Sequence, residues 1–563
     1  MNNLRSILIL MTTLLIGSLG TAQDSVWKRT DSDDPYLHRI PLRDSIGRVI
    51  DPRSEISTVP HLGKSCAPCH DVEAASGGLH AGRGPDGRRG EPWILVDPRS
   101  ATHMPLHRRD WPGVRSPESL GLDAENWSQT FGRHETGAGD QSDCFVCHLA
   151  SGYDFSKRIE QVDSGNPSLA PFFAAGLLDG SGQLDPSRFD SSAQVELNLL
   201  GDAGNQTCLR CHTVRNLDAQ NGRGWLHQDD VHLAAGLSCV DCHRSGIDHQ
   251  MVRGYEGEQH PSGLDVTSLS CRGCHLDSQG GAHGAPLPEH RGLPPFHLDE
   301  ITCTACHSGP APTDAGIAQW TSRAHRLGES SQKRQPGIAP RIVATSLQPD
   351  DQQRIAPYRL TWPDGWGILD ATGHFSPLPP SDLRRPLRKA LRIRSNLVEE
   401  LTEKLDTEDS STLLAGALDQ LQDSLQPGQR AVLITGGLAW KSTEDGQLES
   451  FTTPLAEAVT WPLSHPVRPA RSAVGAGGCT DCHSQESGWS TNELRAIPLL
   501  PIGSIFEGPP VARLAVTETH RWSRWSWLFV GREVAKIYFS ACAFLAISGG
   551  LIGLWKRIQE ESR

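Results

Sequence analysis

The stretch from residue 208 to residue 307 carries four copies of one short pattern: CLRCH (208–212), CVDCH (239–243), CRGCH (271–275) and CTACH (303–307). Their first cysteines, Cys208, Cys239, Cys271 and Cys303, are 31, 32 and 32 residues apart. Such even spacing predicts a modular row with one motif per unit, each unit too small to form a core alone. A coincidence of loop lengths is the alternative explanation.

The same pattern occurs three more times, as CAPCH (66–70), CFVCH (144–148) and CTDCH (479–483), so that 14 of the 15 cysteines belong to seven motifs. The remaining cysteine, Cys542, lies in an apolar stretch near the C-terminus and is expected to act as a small apolar side chain. The motif residues are Cys66, Cys69, His70, Cys144, Cys147, His148, Cys208, Cys211, His212, Cys239, Cys242, His243, Cys271, Cys274, His275, Cys303, Cys306, His307, Cys479, Cys482 and His483.

This spacing has a chemical reason. Two thiols three residues apart can form thioethers with the two vinyl groups on one edge of a porphyrin, and the histidine that follows is then held beneath the iron as its proximal ligand. Zinc ribbons also use paired cysteines, but they do not require a histidine directly after each pair. A disulfide scaffold would not give every pair the same following residue. The seven motifs therefore predict seven covalent haems c.

A six-coordinate iron needs a second axial ligand, and the chain has 24 histidines. A histidine close to a motif cannot easily reach the far side of its own iron, so we expect it to bind a neighbouring haem. An ordinary surface or core histidine is the alternative at each position, and Met104 and Met251 are less favoured axial ligands. The predicted distal ligands, each a short way before a motif, are His61, His134, His232, His297 and His465.

Both ends of the chain carry apolar stretches. Arg5, the apolar residues 7–19 and the small residues 20–22 indicate a secretory signal peptide over residues 1–22. Residues 537–555 are long and apolar enough to cross a bilayer, with tryptophans on both flanks, although a buried core helix is the alternative. If the body is exported, the short tail after Lys556 stays in the cytoplasm.

Composition places the rest of the chain among loop-rich globular proteins. The net charge is −13, which argues against nucleic acid or anionic lipid as a partner; it suits a basic redox partner or simply solubility. With 56 Gly and 39 Pro we expect a mainly α and irregular fold with a small mixed α/β lobe and one C-terminal transmembrane helix. The predicted regions are a signal (1–22), an N-terminal dihaem region (23–165), a four-haem repeat region (166–310), a haem-free mixed lobe (311–465), a seventh-haem region (466–520) and a membrane anchor (521–563).

Within the haem-free lobe, Tyr358, Leu360 and Trp362 alternate before Pro363-Asp364-Gly365, which predicts a strand entering a hairpin. One helix is expected from a Ser381 cap through Leu405, a second through Leu414, Leu418, Leu421 and Leu425, and a short strand over 431–435. We expect the lobe to pack against the haem row; docking a partner is the alternative.

The seven motifs and the histidines ahead of them resemble the multihaem cytochrome c superfamily, which includes octahaem tetrathionate reductases, hydroxylamine oxidoreductases and pure electron carriers. The resemblance covers roughly residues 61–310 and 465–484. Two departures are the count of seven motifs rather than eight and the lack of a Cys-x-x-Cys-Lys motif of the kind found in pentahaem nitrite reductases.

The resemblance and the two ends of the chain imply a periplasmic body held in the cytoplasmic membrane by one C-terminal helix. The expected function is electron transfer between a membrane-bound redox partner, of the quinol-oxidising or cytochrome b type, and a periplasmic redox partner. The alternative is an oxidoreductase that acts on a small nitrogen or sulfur compound at one open haem. A haem-based sensor is a third, less favoured possibility.

Overall fold

The computed structural model describes most of the chain. The predicted signal peptide and His134 lie outside the described residues. The described residues are 36–54, 56, 58–78, 93–106, 137–138, 141–216, 225, 227–254, 258–259, 266, 269–276, 281–311, 317–321, 341–394, 396–404, 410–484, 487–489, 493–500, 510–512 and 519–562.

The N-terminal part is built on a small apolar core that supports the first two motifs. Strand β1 (Tyr36–Pro41) pairs antiparallel with β6 (Gln194–Leu199). Phe145 and Phe172 meet edge to face at 6.3 Å in this core, and Cys66 and Cys144 pack against it. Between β1 and β6 come two short hairpins, of β2 (Trp93–Asp97) with β3 (Thr102–Leu106) and of β4 (Gly137–Ala138) with β5 (Gln141–Ser142).

Short helices carry or flank the motifs. Isolated helices of one or two turns are unstable in water, so local caps must help to hold them. Ser238 and Asp241 form a capping box on the fourth motif, and Ser270 accepts a hydrogen bond from the Gly273 amide on the fifth. The helices of this part are α1 (Leu62–Cys66), α2 (Val72–Ala75), α3 (Phe145–His148), α4 (Phe155–Asp163), α5 (Ala170–Ala174), α6 (Asn205–Cys211), α7 (Val231–Ala234), α8 (Cys239–Cys242), α9 (Cys271–His275), α10 (Phe296–Glu300) and α11 (Cys303–His307). The seventh motif begins in a 3₁₀ turn, Cys479–Asp481.

Two five-stranded antiparallel sheets are built mainly from residues between the sixth and seventh motifs. The first has the strand order β16-β10-β9-β8-β7 and the second the order β12-β11-β13-β14-β15. Their strands are β7 (Arg215–Asn216), β8 (Ile317–Trp320), β9 (Arg341–Pro349), β10 (Ile355–Thr361), β11 (Gly365–Leu369), β12 (Phe375–Pro377), β13 (Arg430–Thr435), β14 (Leu438–Ser442), β15 (Leu448–Phe451) and β16 (Val459–Pro462). A last pair joins β17 (Glu493–Leu494) to β18 (Val511–Ala512).

Three helices cover the second sheet: α12 (Pro380–Ala390), α13 (Leu397–Lys404) and α14 (Ser410–Gln422). Trp366 of β11, Leu401 and Leu418 are fully buried in the core between helices and sheet. This core contains the residues that the leucine periodicity predicted for α14, and β13 coincides with the predicted strand.

The sheets correct the expectation of a mainly α chain, because ten strands pair into two five-stranded sheets. The turn at Pro363 also differs from the predicted hairpin: β10 belongs to the first sheet and β11 to the second, so the turn passes the chain between sheets. The single helix expected after Ser381 is divided into α12 and α13, since Arg392 has a left-handed φ of 50°. Its N-cap is Pro379 rather than Ser381.

The first sheet contains β7, from the predicted four-haem region, and β8, β9, β10 and β16, from the predicted haem-free lobe. Strands from the two regions therefore share one hydrogen-bonded sheet. The domain boundaries given above stay a prediction.

The C-terminal helix α15 runs from Thr519 to Glu561, and its part from Val534 to Glu561 is long and apolar enough to cross a membrane. The apolar side chains there are exposed, with 70% of Phe539 and 68% of Leu545 accessible. Large apolar groups that face outward along a whole helix are typical of a segment that contacts lipid.

Candidate haem-binding sites

In the part of the chain that the structure describes, a motif histidine and a histidine from outside that motif face each other in six places. The ring centroids lie 6.0–6.3 Å apart in every case, while the interplanar angles range from 26° to 89°. The pairs are His70 with His38, His148 with His249, His243 with His465, His275 with His232, His307 with His290, and His483 with His297.

This separation is the one that a shared metal ion requires. A metal–imidazole nitrogen bond is about 2.0–2.1 Å and the ring centre lies roughly 1.1 Å further on, so two rings on opposite sides of one ion have centres about 6 Å apart. Direct ring stacking or edge contact would tolerate a wider range, about 4.5–7 Å. The narrow spread therefore fits bis-histidine haem iron.

The outer nitrogens of several of these rings have defined partners. In three of them Nδ1 lies close to a backbone carbonyl oxygen. The distance is 2.8 Å from His148 to the Leu200 oxygen, 2.9 Å from His243 to the Val252 oxygen and 2.8 Å from His275 to the Pro286 oxygen. A carbonyl oxygen can only accept, so Nδ1 carries the proton in each ring. The Nε2 lone pair is then available for iron, which is the usual arrangement of a ligating histidine.

Two histidines that face a motif histidine, His232 and His465, have the carboxylate of Asp230 beside Nδ1 instead of a carbonyl oxygen. Its Oδ2 lies 2.9 Å from Nδ1 of His465 and accepts from the Val467 amide at 2.8 Å. Its Oδ1 accepts from the His232 amide at 3.0 Å and lies 3.6 Å from His232 Nδ1. The carboxylate side chain is 1% exposed. Although burial alone raises the pKa of Asp230, the contacts with His232 and His465 more than offset it and hold that pKa well below its usual range.

Neighbouring motifs meet through their cysteines. Before haem attachment, a hydrogen bond with Cys66 and burial raise the pKa of the Cys144 thiol, and Cys208 has the same effect on Cys239. In the mature protein these sulfurs would be thioethers. The thioether edges of the first and second haems, and of the third and fourth, would therefore be adjacent.

The remaining motifs follow on in chain order. Helix α3 of the second motif contacts α6 of the third. Burial raises the pKa of the Cys242 thiol to about 11, with Cys274 of the fifth motif as the next cause. Burial likewise raises the pKa of Cys482 to about 12, with Cys306 of the sixth motif as the next cause.

The fifth and sixth motifs are also near each other. Burial lowers the pKa of His307, and the neighbouring His290 and His275 lower it further. Consecutive motifs are thus neighbours along the whole series, from Cys66 to His483.

Three of the predicted distal histidines occur in the six pairs. His232, His297 and His465 each stand ahead of one motif but face the proximal histidine of another, namely His275, His483 and His243. His61 is placed differently: its Nδ1 accepts the Lys64 amide at 3.2 Å and so caps α1.

His38, His249 and His290 are not among the distal ligands that the sequence predicted. His38 lies in a strand and His249 after a motif, where no spacing distinguishes them from ordinary histidines. His290 faces His307 of the motif that it precedes, because the chain turns back through Gly292, whose φ is 82°. Met104, a less favoured candidate for an axial ligand, is fully buried in β3 with its side chain against Gly365.

The third motif is hydrogen-bonded to Trp225. The indole Nε1 of Trp225 donates to the His212 carbonyl at 3.3 Å, and the same indole stacks on His465 with centroids 5.5 Å apart and planes 3° apart. The Trp225 side chain therefore lies between the third motif and the facing pair His243 and His465.

A protein-family model described as the NapC/NirT cytochrome c family, N-terminal region, matches residues 121–254, which contain the motifs that begin at Cys144, Cys208 and Cys239. This match supports a multihaem c-type cytochrome. The matched family consists of membrane-anchored multihaem cytochromes of electron transfer, and it implies covalently bound haem c. The comparison with curated proteins gave no match, and neither did the comparison with solved structures.

Proposed function

We propose that this cytochrome relays electrons between a membrane-bound redox partner and a periplasmic partner through seven haems held in one continuous series. Each haem, when bound, supplies an iron that cycles between the ferrous and ferric states. The polypeptide supplies axial ligands, spacing and a shielded environment. The six facing histidine pairs carry the proposal.

An iron with two histidine ligands has no vacant position for a substrate, so the pairs at six motifs favour electron transfer over chemistry on a small molecule. The contacts between consecutive motifs favour the same function, because a relay needs short steps from one haem to the next.

The C-terminal helix supports a route from the membrane. Helix α15 contacts the turn Cys479–Asp481, so the seventh motif lies against the helix that contains the candidate membrane span. Tethering raises the effective concentration of a partner in the same membrane. We infer that electrons enter or leave at the seventh haem on the membrane side and at the first haem on the periplasmic side.

The test compares the full chain with one cut before Arg521, using a quinol-oxidising membrane fraction as the reductant. The truncated chain should lose most of its rate of haem reduction, while a soluble reductant should reduce both proteins equally. Equal rates with the membrane fraction would contradict a tethered relay.

The alternative is an oxidoreductase acting on tetrathionate, nitrite or hydroxylamine at one open haem. It predicts rapid turnover of one of these compounds and a high-spin haem that binds carbon monoxide. The relay predicts slow turnover of all three.

A further inference from the structure

The buried carboxylate of Asp230 lies between two histidines that belong to different motif pairs. His465 faces the proximal histidine of the fourth motif and His232 that of the fifth. Each carboxylate oxygen is directed at one ring: Oδ2 lies 2.9 Å from His465 Nδ1, and Oδ1 lies 3.6 Å from His232 Nδ1.

The position of this carboxylate is fixed from several sides. Oδ1 caps α7 through the His232 amide, and Oδ2 also accepts from the Val467 amide. The Val231 amide donates to the Val467 carbonyl at 2.9 Å, which joins the two segments next to the carboxylate. The Trp225 indole covers one face of His465. The carboxylate and the His465 ring therefore have little freedom to separate.

Four of the other paired histidines have a neutral partner. His148, His243, His275 and His297 direct Nδ1 at backbone carbonyl oxygens, at 2.8, 2.9, 2.8 and 3.2 Å. A carboxylate that accepts from Nδ1 makes the imidazole a stronger electron donor than a carbonyl does, and its negative charge favours the more positive ferric iron. The carboxylate is 1% exposed, so water screens its charge weakly.

We propose that Asp230 is a shared positioning and tuning residue that lowers the reduction potentials of the fourth and fifth haems together. The effect is larger at the fourth haem, because the contact with His465 is a hydrogen bond and that with His232 is longer. This inference rests on the ligation proposed above for His232 and His465.

The test is a redox titration of the mature full-length cytochrome followed by visible and EPR spectra. In the Asp230→Asn variant, two of the midpoint potentials should shift upward, one more than the other, while the remaining potentials and the low-spin signals stay as in the native protein. Asp229→Asn is the matched control, since Asp229 is the adjacent acidic residue and is exposed; it should leave all potentials unchanged. Asp230→Glu keeps the charge and should restore most of the native values.

Unchanged potentials in Asp230→Asn with intact low-spin spectra would overturn the proposal, as would an equally large rise in Asp230→Glu. The native protein gives an independent check should Asp230→Asn fail to mature: two of its haems should titrate below the rest, and a single common potential for all bis-histidine haems would count against Asp230. Failure of the underlying ligation is distinguishable, because the native protein would then lack bis-histidine low-spin signals.

Discussion

Gly78 is packed directly against the backbone of His249, the histidine that faces His148 of the second motif. A β-carbon at this position would overlap the carbonyl group of His249. The same contact is supported by Gln250, whose Nε2 donates to the Gly77 carbonyl at 3.3 Å. Because Gly78 has no side chain, the segment that contains His249 can approach the second motif.

The Gly78→Ala variant should displace His249, because backbone on both sides of the contact has little room to yield. We expect one haem to become partly high-spin, measured by visible and EPR spectra. Gly180→Ala is the control, since a β-carbon there meets nothing within 4 Å. A fully low-spin Gly78→Ala protein would show that His249 is not an iron ligand.

A second residue-level feature is the buried network at the second motif. Asp143 Oδ2 accepts from the Tyr153 hydroxyl at 2.6 Å and from Arg158 Nε at 3.0 Å, and its Oδ1 accepts from the Val146 amide at 3.1 Å. Burial, and then the Asp143 charge, raise the pKa of Tyr153 well above its usual value. The phenol is therefore held in its protonated form.

This pKa gives a dependence of stability on pH. Below the pKa of an unfolded tyrosine, about 10, the protonated phenol stabilises the native state in full. As pH rises above that value the unfolded chain loses its proton first, so stability falls. Tyr153→Phe should cost about 1–3 kcal/mol at neutral pH and should show a smaller alkaline loss than the native protein. The measurement is the thermal unfolding midpoint at pH 7 and above pH 10; parallel pH profiles would contradict the assignment.

Among the secondary-structure elements, α14 gives the clearest packing prediction. Leu418 is fully buried in the core with Trp366 and Leu433. Leu418→Ala should lower the free energy of unfolding of this part by about 2–5 kcal/mol through lost burial and a cavity. Tryptophan fluorescence in denaturant measures the loss, and the exposed Gln420→Ala change is the control. The low-spin haem spectrum should persist in dilute buffer, because this core is separate from the six histidine pairs.

The C-terminal helix leads to a prediction about location. Removal of residues 519–563 should convert the cytochrome from a detergent-extracted to a freely soluble protein, since the exposed apolar side chains of Val534–Glu561 are lost. Fractionation of membranes by haem stain measures the change. Release of the full chain by a salt wash alone would contradict a spanning helix.

The elements that the sequence predicted well are those with a local signal. Helix α14 has a leucine at every turn, β13 is a short apolar run, and the cysteine–histidine motifs are recognisable by themselves. The sheets could not be predicted in this way, because β10 pairs with β16, and β11 with β13, which are strands far apart in sequence. The same limit applies to His249 and Asp230, whose partners are defined only by the folded chain.

At the scale of the whole molecule, the seven motifs predict seven covalent haems. The intact mass of the mature protein, compared with the chain without residues 1–22, should exceed it by seven haem increments. A smaller excess would identify a motif that stays empty, and peptide mapping of the thioethers would locate it. A Cys479→Ala, Cys482→Ala double variant should lack one increment and should lose reduction by the membrane fraction.

The pairing of His465 with His243 has a consequence for folding that goes beyond electron transfer. An iron bonded to both rings is a cross-link between segments far apart in sequence, and it closes a loop that contains both five-stranded sheets except β7. Closing a long loop restricts the unfolded chain more than the native one, as a disulfide does. We therefore expect the two sheets, although the chain from β8 to β16 carries no haem motif, to lose stability when the haems are removed.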